Sequence, residues 1–216
     1  MTDQINAREV VLDMLLEIIE GDKFSHTVMN HTLKRYQYLD KQERAFISRL
    51  CTGTVKQYLT LDYVINRYAS LPVRKMKPLI RNLLRLSVYQ ILYMDQVPES
   101  AVCNEAVKLA KKRGFIKLSG FVNGILRNIA RNASSVSYPD KTIQPREYLS
   151  VSYSIPEWLV QRLLNQYDFN TTEAMLAASN KDKEVTIRCN RKKATPSELI
   201  KCLEEDGAKV RVSEYL

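Results

Sequence analysis

The segment PLIRNLLRLSVYQIL, residues 78–92, is apolar on more than one side when it is wound into a helix. Proline at its first position is typical of the first turn of a helix, where the missing N–H group has no intrahelical partner anyway. A helix at a protein surface needs only one apolar stripe, so a helix that is apolar on several sides has to be surrounded by other elements. The segment therefore predicts the central helix of an α-helical bundle.

Amphipathic patterns on both sides of this segment predict the rest of the bundle. Apolar residues recur at helical spacing from Ala7 to Ile19, and Gly21 is expected to end that helix in the left-handed conformation. Asp40 begins an aspartate variant of the capping box, and Gly114 marks the end of a helix that Ser100 would cap. The predicted helices cover about residues 7–20, 43–55, 60–68, 100–113 and 121–129. Residues 1–131 are therefore predicted to form a single all-helical bundle.

The composition and the periodicity of the sequence change after residue 131. Residues 132–154 are rich in Ser and Pro and show little helical periodicity, which predicts a linker. Residues 155–216 then combine helical patterns, one of them behind the capping box at Thr195, with two short segments of strand character at 184–190 and 208–212. The predicted fold class is mainly α, with the bundle followed by a linker and a small, incomplete α+β unit.

The charge of the chain favours an anionic partner. The sequence has 33 Lys and Arg against 24 Asp and Glu, a formal net charge of +9, and such a surface attracts the phosphates of nucleic acids. Six cations and no carboxylate lie in residues 67–85, and seven cations with Glu105 as their one carboxylate lie in residues 103–131. The candidate RNA-binding residues are Arg8, Arg74, Lys75, Lys77, Arg81, Lys111, Lys112, Arg113, Lys117, Arg127, Arg188 and Lys192.

Other readings of the same charges remain open. A lysine-rich helical face can serve solubility alone, and near Arg188 and Lys192 the carboxylates of Asp182 and Glu184 offset part of the charge. The clusters could also meet an acidic protein surface, which would make the bundle a protein-docking module.

Residues suited to catalysis, cofactor binding or metal binding are scarce. His26 and His31, the only histidines, are five positions apart and do not share a helical face. The four cysteines form no CxxC pair, and we expect them to be reduced and buried. Gly120 and Gly124 lie in a helical pattern, so we interpret them as sites of close helix packing rather than as a phosphate loop. We predict no catalytic, cofactor-binding or metal-binding residue in this chain. We also expect a cytoplasmic protein with no membrane segment.

Several stretches resemble known families. The resemblance to the NusB-like RNA-binding fold rests on NARE at residues 6–9, VCNEAVKLAK at 102–111 and FVNGILR at 121–127. The stretches YSIPEWLV at 153–160 and TIRCNRKK at 186–193 resemble the pre-catalytic region of the Sun/Fmu (RsmB) family of 16S rRNA (cytosine-C5) methyltransferases. The resemblance implies recruitment of 16S rRNA for a C-terminal catalytic domain that binds S-adenosylmethionine and carries a cysteine nucleophile. That domain is expected to be missing here, so this chain alone is expected to be inactive. The resemblance to NusB also allows transcription antitermination by the bundle alone, which residues 153–193 argue against because that role needs no such extension.

Overall fold

The computed structural model describes residues 5–181 and 185–213, and in these ranges its regular elements are helices. The α-helices are α1 (Ala7–Leu15), α2 (Ser25–Arg35), α3 (Lys41–Lys56), α4 (Tyr58–Tyr68), α5 (Pro78–Tyr93), α6 (Glu99–Lys112), α7 (Ser119–Arg131), α8 (Pro145–Tyr153), α9 (Glu157–Leu164), α10 (Phe169–Asn180) and α11 (Pro196–Glu205). The mainly α prediction is confirmed.

Helix α5 is the centre of the bundle, as its sequence predicts. It packs against α1, α3, α4, α6 and α7, and its side chains from Asn82 to Ile91 are all buried. Burying an aliphatic side chain of this size contributes about 1.5–3 kcal/mol relative to leaving it exposed. The short connections from α5 to α6 and from α6 to α7 make consecutive helices antiparallel neighbours.

The predicted helix ends are confirmed at Asp40, Thr195 and Gly114 and are wrong at Ser100 and Gly21. Helix α6 begins at Glu99 with Pro98 as its N-cap residue, so Ser100 lies within the first turn and does not cap it. The Asp40 side chain accepts a hydrogen bond of 2.7 Å from the Glu43 N–H at the start of α3, and Thr195 and Glu198 form a complete capping box on α11. Gly114 has a φ of 85° after α6. Gly21, in contrast, has a φ of −92°, and the left-handed residue is Asp22. The chain follows α1 with a π-helical turn, Leu16–Glu20, so the reversal falls one residue later.

Helix α2 was not expected from the sequence. Val28 is its only buried residue, with Met29 and Leu33 partly buried against the core. The apolar stripe is therefore short, and no side-chain cap marks the start of the helix.

The segment predicted as a linker, 132–154, is not irregular throughout, because it contains helix α8. The Thr60 hydroxyl donates a hydrogen bond of 2.5 Å to the carbonyl of Val151, and the Leu59 N–H donates one of 3.0 Å to Ser154. Leu149 of α8 is buried in a small cluster together with residues of α9 and α10. Polar contacts of this kind leave no periodic pattern in the sequence. Through these contacts α8 belongs to the first compact unit, which extends to Asn180.

The second compact unit, 181–216, holds α11 and differs from the prediction in its strands. Neither 208–212 nor the described part of the other predicted strand, 185–190, is a strand, and Glu184 lies outside the described residues. Val185 is 89% exposed and Val212 is 72% exposed. A strand exists only as part of a ladder, and a two-stranded pair is marginal on its own. Alternating apolar residues alone therefore do not make a sheet here.

Candidate nucleic-acid interface

Two arginines of the first basic cluster are held inside the bundle. Arg85 is 4% exposed and donates two hydrogen bonds of 2.7 Å, from Nε and Nη2, to the carboxylate of Asp62. Its Nη1 donates to Asn82 at 2.9 Å, and its guanidinium lies 4.7 Å from the centre of the Tyr58 ring. Every face of this guanidinium is engaged, so Arg85 serves the fold.

Arg81, a predicted RNA-binding residue, is bound by a carboxylate of the neighbouring π-helical turn. Its Nε donates to Glu20 at 2.7 Å and its Nη2 pairs with the second oxygen of the same carboxylate. The hydrogen bond from Arg81 lowers the pKa of Glu20, and the same bond raises the pKa of Arg81. Asn82 adds a third donor to Glu20 at 2.7 Å. This arginine fixes α5 against Glu20.

The other cations of the first cluster face solvent. Arg74 and Lys75 lie on a 3-10 turn, Val73–Lys75, and Lys77 is the N-cap residue of α5. All three are exposed, and none has an ion pair within the residues that the structure describes. The turn that carries them is anchored by buried Val73, whose N–H donates to Asn66 at 2.8 Å.

The second basic cluster divides in the same way. Lys112 pairs with Glu9 at 2.6 Å, and Arg113 pairs with Asp13 at 2.6 Å, so these two predicted residues tie the end of α6 to α1. Lys111, on the last turn of α6, and Lys117, on the 3-10 turn before α7, are exposed. Neither of them forms an ion pair among the described residues.

The remaining predicted cations of the bundle are Arg8 and Arg127. Arg8 donates from Nε to Gln90 at 2.8 Å, and its guanidinium lies 5.3 Å from the centre of the Phe46 ring. Burial lowers the pKa of Arg8, against the opposing effect of Glu105. Arg127 is exposed on α7. The structure therefore places Arg8 as a half-buried packing residue and Arg127 as a cation open to solvent.

The interpretation of Gly120 and Gly124 as sites of close helix packing is wrong. A Cβ atom built on either glycine would have no neighbour within 4 Å. The close contact lies at Gly53 of α3, where a Cβ atom would stand 2.0 Å from Cζ of Tyr89 on α5. The only sign of this contact in the sequence is a single glycine inside a helical pattern.

A pocket that was not predicted from the sequence lies between α2 and α3. It is open, has a volume of about 350 Å³ and is lined by Asn30, Leu33, Lys34, Gln37 and Arg44.

In the second unit, Arg188 and Lys192 are both exposed. The N–H of Lys192 donates to the side chain of Asn190 at 3.1 Å, which places Lys192 in an Asn-initiated turn. Asp182 and Glu184, expected to offset this charge, lie outside the described residues.

The cysteines are all free, and the expected burial holds for two of them. Burial raises the pKa of Cys51 to about 12 and also raises the pKa of Cys103, which makes both thiols poor nucleophiles. Cys202 is exposed, contrary to expectation. Over residues 5–181 and 185–213, no three His, Cys, Asp or Glu side chains are grouped as metal ligands would be. Across the same ranges, every helix is too short or too polar to cross a lipid bilayer.

Comparison with known families divides the chain where its composition changes, after residue 131. The pattern of the NusB family matches residues 5–131. The pattern of the ferredoxin-like domain of RsmF/B-like methyltransferases matches residues 155–216.

Individual relatives and solved structures give the same picture. A protein of Bacillus subtilis (strain 168), named "Probable ribosomal RNA small subunit methyltransferase B", is 32% identical over 95% of this chain and 45% of its own length. The crystal structure of PH0851 aligns with 99% of this chain and 47% of its own, at a TM-score of 0.67 and 22% identity. NusB in a crystal structure of the antitermination factors NusB and NusE with dsRNA aligns with 58% of this chain, at a TM-score of 0.53 and 22% identity. Both structural likenesses concern the fold alone. The chain spans less than half the length of the curated relative that it matches.

Proposed function

The chain belongs to the NusB family, and from this premise we propose that its helical bundle binds 16S rRNA for an S-adenosylmethionine-dependent cytosine-C5 methyltransferase. The bundle would recruit the RNA, and a catalytic domain that these 216 residues do not contain would bind the methyl donor and transfer the methyl group. The match of residues 155–216 to a methyltransferase-associated domain supports this division of labour. Residues 155–216 would connect the RNA-binding bundle to the catalytic domain.

One observation carries the proposal: each of the two basic clusters keeps cations that form no ion pair with any described residue. Five of them lie on or beside short turns at helix ends, where long side chains can reach a phosphodiester chain. These residues are Arg74, Lys75, Lys77, Lys111 and Lys117. Arg127, Arg188 and Lys192 are exposed as well and remain in the proposal as weaker candidates.

Cations that already have a partner within the fold are weaker candidates for contacts with RNA. Arg81 and Arg113 already bind carboxylates, and Arg8 is packed against Phe46. An arginine that leaves such a partner for a phosphate leaves a partly buried carboxylate or a polar group unpaired, which costs free energy. These three residues are therefore expected to contribute less to RNA affinity than Lys111 and Lys117.

A binding titration with charge-reversal variants tests the proposal. The probe is a fluorescently labelled hairpin of 16S rRNA, and the variant is the double substitution Lys111→Glu with Lys117→Glu. The control reverses two exposed cations outside both clusters that form no ion pair among the described residues, Lys141→Glu with Arg162→Glu. We expect the first variant to weaken binding at least about tenfold, which corresponds to about 1.4 kcal/mol. Equal affinities for the two variants would contradict the proposed surface.

The second candidate, a protein-docking module, is favoured by one side chain. Ile116 is 64% exposed and lies next to Lys117, an arrangement that also suits the apolar centre and charged rim of a protein interface. Substitution of Ile116 by Ser separates the two functions. If the surface binds protein, this change should weaken capture of the protein partner more than it weakens binding of the hairpin.

A further inference from the structure

The pocket between α2 and α3 lies outside both basic clusters. Its rim consists of Asn30, Lys34 and Gln37, which are exposed, and Arg44 of α3 forms part of its wall. All four side chains offer N–H donors. The volume, about 350 Å³, falls at the small end of the range of roughly 300–1,000 Å³ that is usual for ligand sites.

Arg44, which lines this pocket, carries an unsatisfied donor. Its Nε atom is buried and has no hydrogen-bond partner among the described residues. A buried donor without a partner costs about 1–3 kcal/mol, and such groups are rare in folded proteins. The other arginines of the bundle interior have partners, as Arg81 does with Glu20 and Arg85 with Asp62. The Nε–H group of Arg44, a residue that lines the pocket, therefore lacks an acceptor.

The charge around the pocket favours an anion as that acceptor. Residues 30–44 contain the cations Lys34, Arg35, Lys41 and Arg44 and the carboxylates Asp40 and Glu43. The carboxylate of Asp40 is occupied by the N–H of Glu43 at 2.7 Å. No ion pair of Lys34 or Arg44 is present in the described part of the chain.

We propose that this pocket binds a phosphate group, with Arg44 and Lys34 as its cationic ligands and Asn30 and Gln37 as neutral donors. A phosphate offers acceptor oxygens on all sides, which suits donors on α2, on α3 and in the turn between them better than a planar carboxylate does. The phosphate can be free or part of an RNA backbone, and the second source rests on the proposed function. An RNA source gains support from Tyr38, which follows Gln37, is 70% exposed and offers a face on which a base can stack.

The first measurement uses inorganic phosphate and the whole chain, with the Arg44 Nε–H signal followed by nuclear magnetic resonance. We expect the signal to shift on addition of phosphate and to stay in place in sodium chloride of equal ionic strength. Lys34→Ala should weaken the affinity for phosphate, measured by this shift, about tenfold, because a hydrogen bond to a charged group is typically worth about 1.5 kcal/mol or more. Lys41→Ala is the control, since it removes an exposed cation of α3, the helix of Arg44, that does not line the pocket. Both substituted side chains are exposed, so neither change threatens the fold.

Three results overturn the phosphate pocket. These are no shift with phosphate, an equal shift with acetate, and equal losses in Lys34→Ala and Lys41→Ala. If Arg44→Lys binds phosphate as the original chain does, the role assigned to the forked guanidinium is wrong as well.

The second measurement adds the labelled RNA hairpin and separates the two sources. A shift of the Arg44 signal with RNA, together with about tenfold weaker RNA binding by Lys34→Ala, supports RNA as the source. If RNA binds through Lys111 and Lys117 and leaves the Arg44 signal in place, RNA is excluded as the source and the proposed function stands. If phosphate shifts the signal but the chain binds no RNA, the pocket stands and the proposed function fails.

Discussion

Arg85 and Lys111 both belong to basic segments of the bundle, and they differ in what surrounds them. Arg85 is buried on α5, and its guanidinium donates hydrogen bonds to Asp62 and Asn82. Lys111 is exposed at the end of α6 and has no ion pair among the described residues. The first kind of cation stabilises the fold, and only the second kind is available to a partner. A count of positive charges in a sequence adds the two together.

The largest expected effect is on stability, from the substitution Arg85→Ala. It leaves the carboxylate of Asp62 without its bidentate partner, and breaking a buried ion pair from one side costs about 3–5 kcal/mol. Chemical denaturation followed by circular dichroism measures the free energy of unfolding. Arg74→Ala is the control, because Arg74 is exposed, and should change that free energy by less than about 0.5 kcal/mol. Similar losses for both variants would remove the distinction between the two kinds of cation.

A smaller effect is expected from Gly53→Ala, which tests the packing of α3 against α5. The added Cβ atom would meet the buried Tyr89 ring at 2.0 Å, and overpacking a core typically costs about 1–3 kcal/mol. Gly124→Ala adds the same atom where nothing lies within 4 Å, so it should gain up to about 1 kcal/mol from helix propensity. Thermal unfolding of both variants checks the opposite signs. Stabilisation by Gly53→Ala would show that the Tyr89 ring moves aside without cost.

The elements that could be predicted are those whose own residues carry the signal. The apolar surface of α5 and the caps at Asp40 and Thr195 depend on residues close together in sequence, and the structure has them as expected. Helix α8 escaped prediction because contacts with α4 help to hold it, such as the hydrogen bond from Thr60 to Val151. The strand at 208–212 was predicted from alternation alone, which says nothing of a pairing partner.

The candidate site was only partly predictable for the same reason. That residues 67–85 lack carboxylates is visible in the sequence, but Glu20 and Asp62, which neutralise Arg81 and Arg85, lie outside this segment. The pocket at Lys34 and Arg44 was missed because Asp40 and Glu43 interrupt its run of cations. Pairing between distant residues decides which charges remain available, and it becomes visible only in the folded chain.

A pH titration should detect the contribution of the interior ion pairs through Glu20. The hydrogen bond from Arg81 lowers the pKa of this carboxyl group in the folded chain below its value in the unfolded chain. The stabilisation is therefore complete above the ordinary pKa of a glutamate and is lost as the pH falls through the lowered pKa of the folded state. The expected loss is on the order of 1 kcal/mol, typical of a single hydrogen bond.

The variant Glu20→Gln isolates this contribution from the other carboxyl groups. Its free energy of unfolding should fall less steeply with decreasing pH than that of the original chain, and the two curves should converge in acid. Parallel curves over the whole acidic range would show that the Glu20 carboxylate does not stabilise the fold.

The smallest effect on stability is expected from Lys111→Ala. A very small change in the free energy of unfolding would distinguish this exposed cation from the buried, paired cations such as Arg85. An exposed lysine without an ion pair contributes little to folding, so the free energy of unfolding should change by less than about 0.5 kcal/mol. Binding to the RNA hairpin should nevertheless respond, because each lysine that neutralises a phosphate releases condensed counterions. The slope of log affinity against log salt concentration should therefore decrease by about one. Lys141→Ala removes an exposed lysine outside the proposed surface and should leave both quantities unchanged. If the slope is the same in the two variants, Lys111 does not contact a phosphate, however exposed it is.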